Sequence, residues 1–168
     1  MTKVVLIGFG NIGKKYFQQS LNMNNIAIEK IIKKKKRSNL KSVEFFTRFN
    51  LIDSKSCDAY IIASRVNTHF YYIKKIVKQK KPFILEKPIV ENQHQLSKLQ
   101  KLCKNYKHPI LVNHSDLYNP AFLKFEKTIK TIGKFQEINM SFGKLQKIKL
   151  IKKNDKKNYN YLPSFDWL

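Results

Sequence analysis

The hexapeptide Gly8-Phe9-Gly10-Asn11-Ile12-Gly13 constrains this chain more than any other stretch. It closes the apolar run of residues 3–8, KVVLIG, which reads as a short buried strand ended by glycine. Residues 11–23 follow, with Ile12, Tyr16, Phe17 and Leu21 on one face of an amphipathic helix. A G-x-G-x-x-G pattern alone is weak, but between a strand and a helix it acquires a mechanism. Gly8 permits the tight turn, Gly10 lets the backbone approach a pyrophosphate, and Gly13 allows the helix to pack closely on the strand. Unpaired N–H groups at the helix amino end then hold phosphates. The hexapeptide is read as a dinucleotide site.

The same rhythm continues downstream. Residues 27–32 and 43–49 are candidate second and third strands, and residues 59–64, AYIIAS, form another buried run. Residues 68–80 carry Phe70, Ile73, Ile76 and Val77 on one helical face and Lys74, Lys75 and Lys78 on the other. Residues 82–85 give a strand with Glu86-Lys87-Pro88 at its carboxyl end, residues 91–106 a further amphipathic helix, and residues 110–114 a sixth apolar run. Strands alternating with helices predict βαβ units in a parallel sheet. Ligands of such sheets bind beyond the carboxyl ends of the strands. That rule gathers residues 8–13, 64–69, 86–88 and 113–116 at one edge.

After Asn119-Pro120 the character changes. Phe122, Phe125, Ile129 and Ile132 mark one more helix, with Gly133 as its stop. Residues 135–142, FQEINMSF, alternate like a half-exposed strand with residues 147–151 as a partner, and residues 152–161 read as a polar loop.

Composition narrows the function classes. The formal charge is +23, but of 34 basic residues only Arg37, Arg48 and Arg65 are arginine, and the lysines are spread over every segment. A nucleic-acid reader needs arginine for bidentate contacts, and no DNA or RNA motif is present, so a basic nucleic-acid-binding protein on this scaffold is the least favoured reading. No stretch reaches the ~18 apolar residues of a membrane helix. The amino-terminal apolar run is broken by Gly8, Gly10 and Asn11 without a cleavage pattern, so it is a strand rather than a signal peptide, and a cytoplasmic location is the default expectation. Cys57 and Cys103 cannot build a disulfide framework, and the four histidines show no metal-ligand spacing. No metal site is expected.

An acidic residue about 20 positions beyond the glycines would bind the ribose 2′-hydroxyl of NAD. Here that region is Lys33-Lys34-Lys35-Lys36-Arg37-Ser38. Cations suit a 2′-phosphate, so the cofactor is NAD or NADP, with the balance toward NADP, although lysines occur throughout this chain. In PFILEKPI, residues 82–89, Lys87 stands at a strand's carboxyl end, where an ammonium can hydrogen-bond a carbinol oxygen or carry a proton.

Taken together, GFGNIG, DAYIIASRVNTH, FILEKPIVEN and VNHSDLYNPAF resemble, in order and spacing, the Gfo/Idh/MocA family of glucose–fructose oxidoreductase, inositol dehydrogenase and relatives. The likeness covers roughly residues 3–145. It implies a Rossmann-type doubly wound parallel α/β sheet over residues 1–118, followed by an incomplete start of a second α/β domain over residues 119–168. It also implies hydride transfer between the nicotinamide and a carbinol carbon of a sugar, cyclitol or nucleotide sugar. By position, Gly8, Phe9, Gly10, Asn11, Ile12 and Gly13 bind the pyrophosphate, and Ser64, Asn67 and His69 lie along the cofactor cleft. Glu86 and Lys87 form the EKP element with Lys87 as the catalytic lysine, and Asn113 or His114 lines the cleft near the nicotinamide.

The chain departs from the family pattern in two ways. Arg65 stands where proline is common, and about 50 residues follow Asn119, where the family's second domain has well over 150. Asp166 and Trp167 of the closing LPSFDWL resemble the opening of the family's histidine-bearing catalytic stretch. The expectation is therefore cofactor binding with little turnover by this chain alone. The alternative is a non-catalytic NAD(P)-binding remnant, or one half of a split enzyme. A sugar-like substrate would be engaged only with the missing segment, and self-association through the incomplete second domain is expected.

Overall fold

Short apolar runs alternating with amphipathic helices build a parallel sheet, and among the described residues every strand pairs in parallel. The computed structural model describes residues 1–34, 40, 42–134 and 137. In chain order the elements are β1 (Thr2–Ile7), α1 (Asn11–Ser20), β2 (Ile26–Ile32), β3 (Glu44–Phe46), β4 (Ala59–Ile62), α2 (Val66–Gln79), β5 (Phe83–Glu86), α3 (Gln93–Cys103), β6 (Ile110–Asn113) and α4 (Pro120–Ile129). The strand order is β3-β2-β1-β4-β5-β6. It reverses direction between β1 and β4, the switch point at which a crevice opens in a doubly wound sheet. This is a Rossmann-type α/β fold.

Alternation along the strands builds two apolar layers. Val4 and Leu6 of β1 pack with Phe17 of α1, Ile28, Ile31 and Ile61 on one face. Val5 and Ile7 pack with Tyr60, Ile62, Leu85, Ile73 and Ile76 of α2 and Leu99 of α3 on the other. Period-2 side-chain direction accounts for this split. Ile28 and Ile31 share a face although they are three apart, because the register slips between Val4–Ile28 and Val5–Lys30. The bulge adds one residue to β2 and restores its apolar side.

Several element ends differ from expectation. β4 stops at Ile62, since Ala63 and Ser64 already turn toward the cleft. α2 starts two residues earlier than its apolar periodicity suggests, at Val66 after an extended Arg65. α3 starts at Gln93, where the Asn92 side chain caps it by accepting from the Gln95 N–H. β3 keeps only three residues of the expected run.

The chain divides into two units, Met1–Ser115 and Asp116–Leu168. In the second, α4 begins at Pro120, and Asn119 caps it by accepting from the Ala121 N–H. Pro at the first helical position loses no bond there, because that N–H would have no partner. Residues 35–38 of the basic run, the strands expected over 135–142 (Glu137 apart) and 147–151, the loop of 152–161 and the closing LPSFDWL lie outside the described residues.

Candidate functional site

The cleft at the switch point has a volume of about 480 Å³, within the range of roughly 300–1,000 Å³ typical of small-molecule sites. Three segments line it: the glycine loop with Phe9, Asn11 and Ile12; Lys33, Lys34 and Thr47 beyond β2 and β3; and Ala63 to Arg65 with Asn67 and Thr68. Backbone bonds fix the first and third to the sheet. Gly8 donates to the Ile32 carbonyl at 2.9 Å, and Ala63 to the Ile7 carbonyl at 2.8 Å.

The three glycines have separate reasons. Gly8 takes φ +98°, and a Cβ there would stand 2.5 Å from the Ala63 carbonyl oxygen. At Gly13 a Cβ would reach the Gly8 carbonyl oxygen at 2.1 Å. Both are required by the protein's own packing. At Gly10 a Cβ would meet nothing within 4 Å. Gly10 is the N-cap of α1, with no side-chain cap and no acidic residue in the first turn. The amino end of α1 therefore presents its backbone donors to the cleft, where the helix dipole favours an anion.

Around that core the side chains are ordered. The Thr68 hydroxyl donates to the Arg65 carbonyl at 2.7 Å, so at the 2.7 Å contact between the two hydroxyls Ser64 is the donor. At the other end, the Lys33 ammonium lies 4.4 Å from the Phe45 ring centroid and 5.7 Å from that of Phe9. This cation–aromatic contact places a positive charge at the end of β2.

Glu86, Asn113 and Tyr16 form a closed set. The register pairs Glu86 of β5 with Asn113 of β6, and the Asn113 amide donates to Glu86 Oε1 at 2.7 Å. The Tyr16 hydroxyl donates to the same oxygen at 2.7 Å and accepts from Asn113 at 2.6 Å. Burial, reinforced by the Glu86 carboxylate, holds the Tyr16 phenol well above its ordinary pKa. It therefore remains a donor.

His69, expected along the cleft, lies beneath it. It is 1% exposed, with Nδ1 3.0 Å from the Pro88 carbonyl oxygen and 3.3 Å from that of Ile89, and Nε2 3.1 Å from that of Ser64. Lys87 is exposed at the end of β5, and its peptide bond to Pro88 is cis. His114 follows β6, half-buried, its N–H donating to the Val112 carbonyl at 3.0 Å. Neither Lys87 nor His114 is among the residues lining the cleft. Among the described residues, no three His, Cys, Asp or Glu side chains gather as metal ligands. No described helix is long and apolar enough to cross a membrane.

Sequence reasoning overlooked Tyr16, Thr47, Thr68 and Tyr72. Tyr16 stood in the sequence only as an apolar-face residue of α1. Its position three residues after Gly13 was the available signal, because the second turn of that helix passes the neighbouring strand ends.

Residues 2–114 match the model of an oxidoreductase family with an NAD-binding Rossmann fold, Gfo/Idh/MocA. The chain belongs to this family. Among solved structures, the Gfo/Idh/MocA chain is similar to myo-inositol 2-dehydrogenase from Lactobacillus plantarum, with TM-score 0.72 and 17% identity over 79% of this chain and 42% of that one. An oxidoreductase from Bacillus cereus gives 0.67 and 21% over 78% and 40%. GenD2 from gentamicin A biosynthesis, solved in complex with NAD, gives 0.68 and 14% over 76% and 38%. At these identities the likeness speaks for the fold. The chain spans about two fifths of the length of these structures. No curated protein matches the sequence.

Proposed function

We propose that the cleft binds NAD(P) and that Lys87 serves the oxidation or reduction of a carbinol carbon in a sugar, cyclitol or nucleotide sugar. One observation carries the cofactor half: Gly10 is a glycine that the protein's own packing does not need, at an uncapped helix amino end in a cleft of about 480 Å³. A pyrophosphate pressed against the backbone there explains it. Asn11, Ile12 and Gly13 supply the N–H groups, and Ser64 and Asn67 flank the cofactor farther along.

Lys33, held over Phe9 and Phe45, is a cation on the wall of the cleft beyond β2, and a cation there suits a 2′-phosphate, which supports NADP over NAD. The bound nicotinamide would supply the hydride acceptor. As the free amine, Lys87 Nζ takes the hydroxyl proton as the carbinol carbon gives up its hydride; as the ammonium so formed, it returns that proton in the reverse direction. Turnover of a substrate is proposed for the whole protein, with cofactor binding assigned to these residues. Melting in the presence of NADH or NADPH tests the reading. An upward shift supports it, and unchanged melting at millimolar cofactor refutes it.

A further inference from the structure

Lys87 is solvent-exposed, yet the residues on either side of it are held by side chains from distant elements. On one side, Glu86 is gripped through Oε1 by Tyr16 from α1 and Asn113 from β6. On the other, the Pro88 and Ile89 carbonyls face Nδ1 of buried His69, whose Nε2 faces the carbonyl of Ser64 in the cofactor cleft. Every buried side-chain polar atom among the described residues has a partner within reach. The neutral imidazole carries one N–H, so His69 donates to the carbonyls on one side and packs against the carbonyl on the other, the tautomer deciding which.

We infer that Tyr16 and His69 are positioning residues that clamp the flanks of Lys87, Tyr16 tying it to the pyrophosphate-binding helix and His69 to the Ser64 loop. The inference rests on the reading of Lys87 and the cleft given above. A long lysine side chain is costly to order by itself. Fixing the backbone on both sides limits where its ammonium can go, and each grip starts from an element that also lines or carries the cofactor cleft. Lys87 is thereby kept in register with the bound dinucleotide without a direct partner of its own. Tyr16 contributes without reaching the lysine, because its hydroxyl acts only through the Glu86 carboxylate.

The test uses the full chain and the variants Tyr16→Phe, His69→Leu and His69→Asn. The asparagine amide keeps a donor near the Nδ1 position. In cofactor-free protein, amide exchange over residues 86–91 should quicken about tenfold in Tyr16→Phe and His69→Leu, because one hydrogen-bonded restraint is gone. Residues 8–13 should exchange as in the parent, β1 should quicken no more than the fall in global stability requires, and His69→Asn should remain close to the parent. In the second arm, Lys87 acetylation by acetic anhydride is mapped by peptide mass spectrometry with and without saturating NADH. The cofactor should protect Lys87 in the parent, and that protection should fall about tenfold in the two disruptive variants while NADH affinity stays within about twofold.

Parent-like exchange and protection in Tyr16→Phe and His69→Leu overturns the inference. So does acceleration spread evenly over the sheet, or loss of protection only in step with loss of affinity, since either reports a general structural role. If the parent binds no NADH or NADPH, the cofactor reading falls, and the exchange arm alone decides the clamp.

Discussion

The Tyr16 hydroxyl donates to Glu86 Oε1 at 2.7 Å across 70 residues of sequence. The contact exists because β1 and β5 end at the same edge of the sheet, so the second turn of the helix leaving one passes the terminus of the other. A neutral donor to a half-buried carboxylate is worth about 1.5–3 kcal/mol. Tyr16→Phe keeps the ring and loses that bond, so its melting temperature should fall by several degrees, while Tyr71→Phe, on the exposed side of α2, should leave it unchanged.

Gly8 and Gly10 should separate stability from binding. Gly8→Ala forces a Cβ onto the Ala63 carbonyl at φ +98°, and should cost about 1–3 kcal/mol in denaturant unfolding. Gly10→Ala adds a methyl in open space and should cost about 1 kcal/mol or less, the penalty of alanine at an N-cap. Equal destabilisation by the two would remove the argument that Gly10 answers to a ligand.

Lys33 offers a charge test of cofactor preference. Its backbone N–H donates to the Phe46 carbonyl at 2.9 Å, so a substitution should leave the strand end in place. Lys33→Asp should weaken NADPH binding about tenfold or more relative to NADH, as a cation facing the 2′-phosphate becomes an anion. An unchanged ratio of the two affinities would dissociate Lys33 from the ribose.

Alkaline pH should destabilise the sheet edge through Tyr106. Burial, with Cys103 beside it, pushes this phenol up to about 12, and its hydroxyl donates to the Lys81 carbonyl. The folded state thus retains a proton that the unfolded chain releases near its ordinary value of 10.0. The stability from this group is complete below pH 10 and is lost as pH rises toward 12. Melting of the parent between pH 9 and 11.5 should decline more steeply than that of Tyr106→Phe.

Much of the fold was legible because its signals are local. Continuous apolar runs such as AYIIAS and FILE can be only buried strands or buried helices, and their length and glycine or proline flanks decide for strands. The glycine loop carried its own context. Element ends were less legible, since Asn92 and Arg65 set the starts of α3 and α2 through capping and backbone turn rather than apolar period. The site was legible only in part. Ser64 and Asn67 line the cleft, but burial of His69 depends on the return of the Pro88 and Ile89 carbonyls from another strand, which no local pattern encodes. Tyr16 was hidden for the same reason, as its partner Glu86 lies on β5, the fourth strand to follow its helix in the chain.

The central claim is that the loop from Gly8 to Gly13 holds a dinucleotide pyrophosphate. Titration of the protein with NADPH and NADH, followed by nicotinamide fluorescence, on the parent and Gly10→Val tests it most directly. The account predicts a saturable change in the parent, tighter for NADPH, and loss of about tenfold or more in affinity in a Gly10→Val protein that still melts cooperatively. Identical titrations for the two proteins, or no change in the parent at millimolar cofactor, would contradict it.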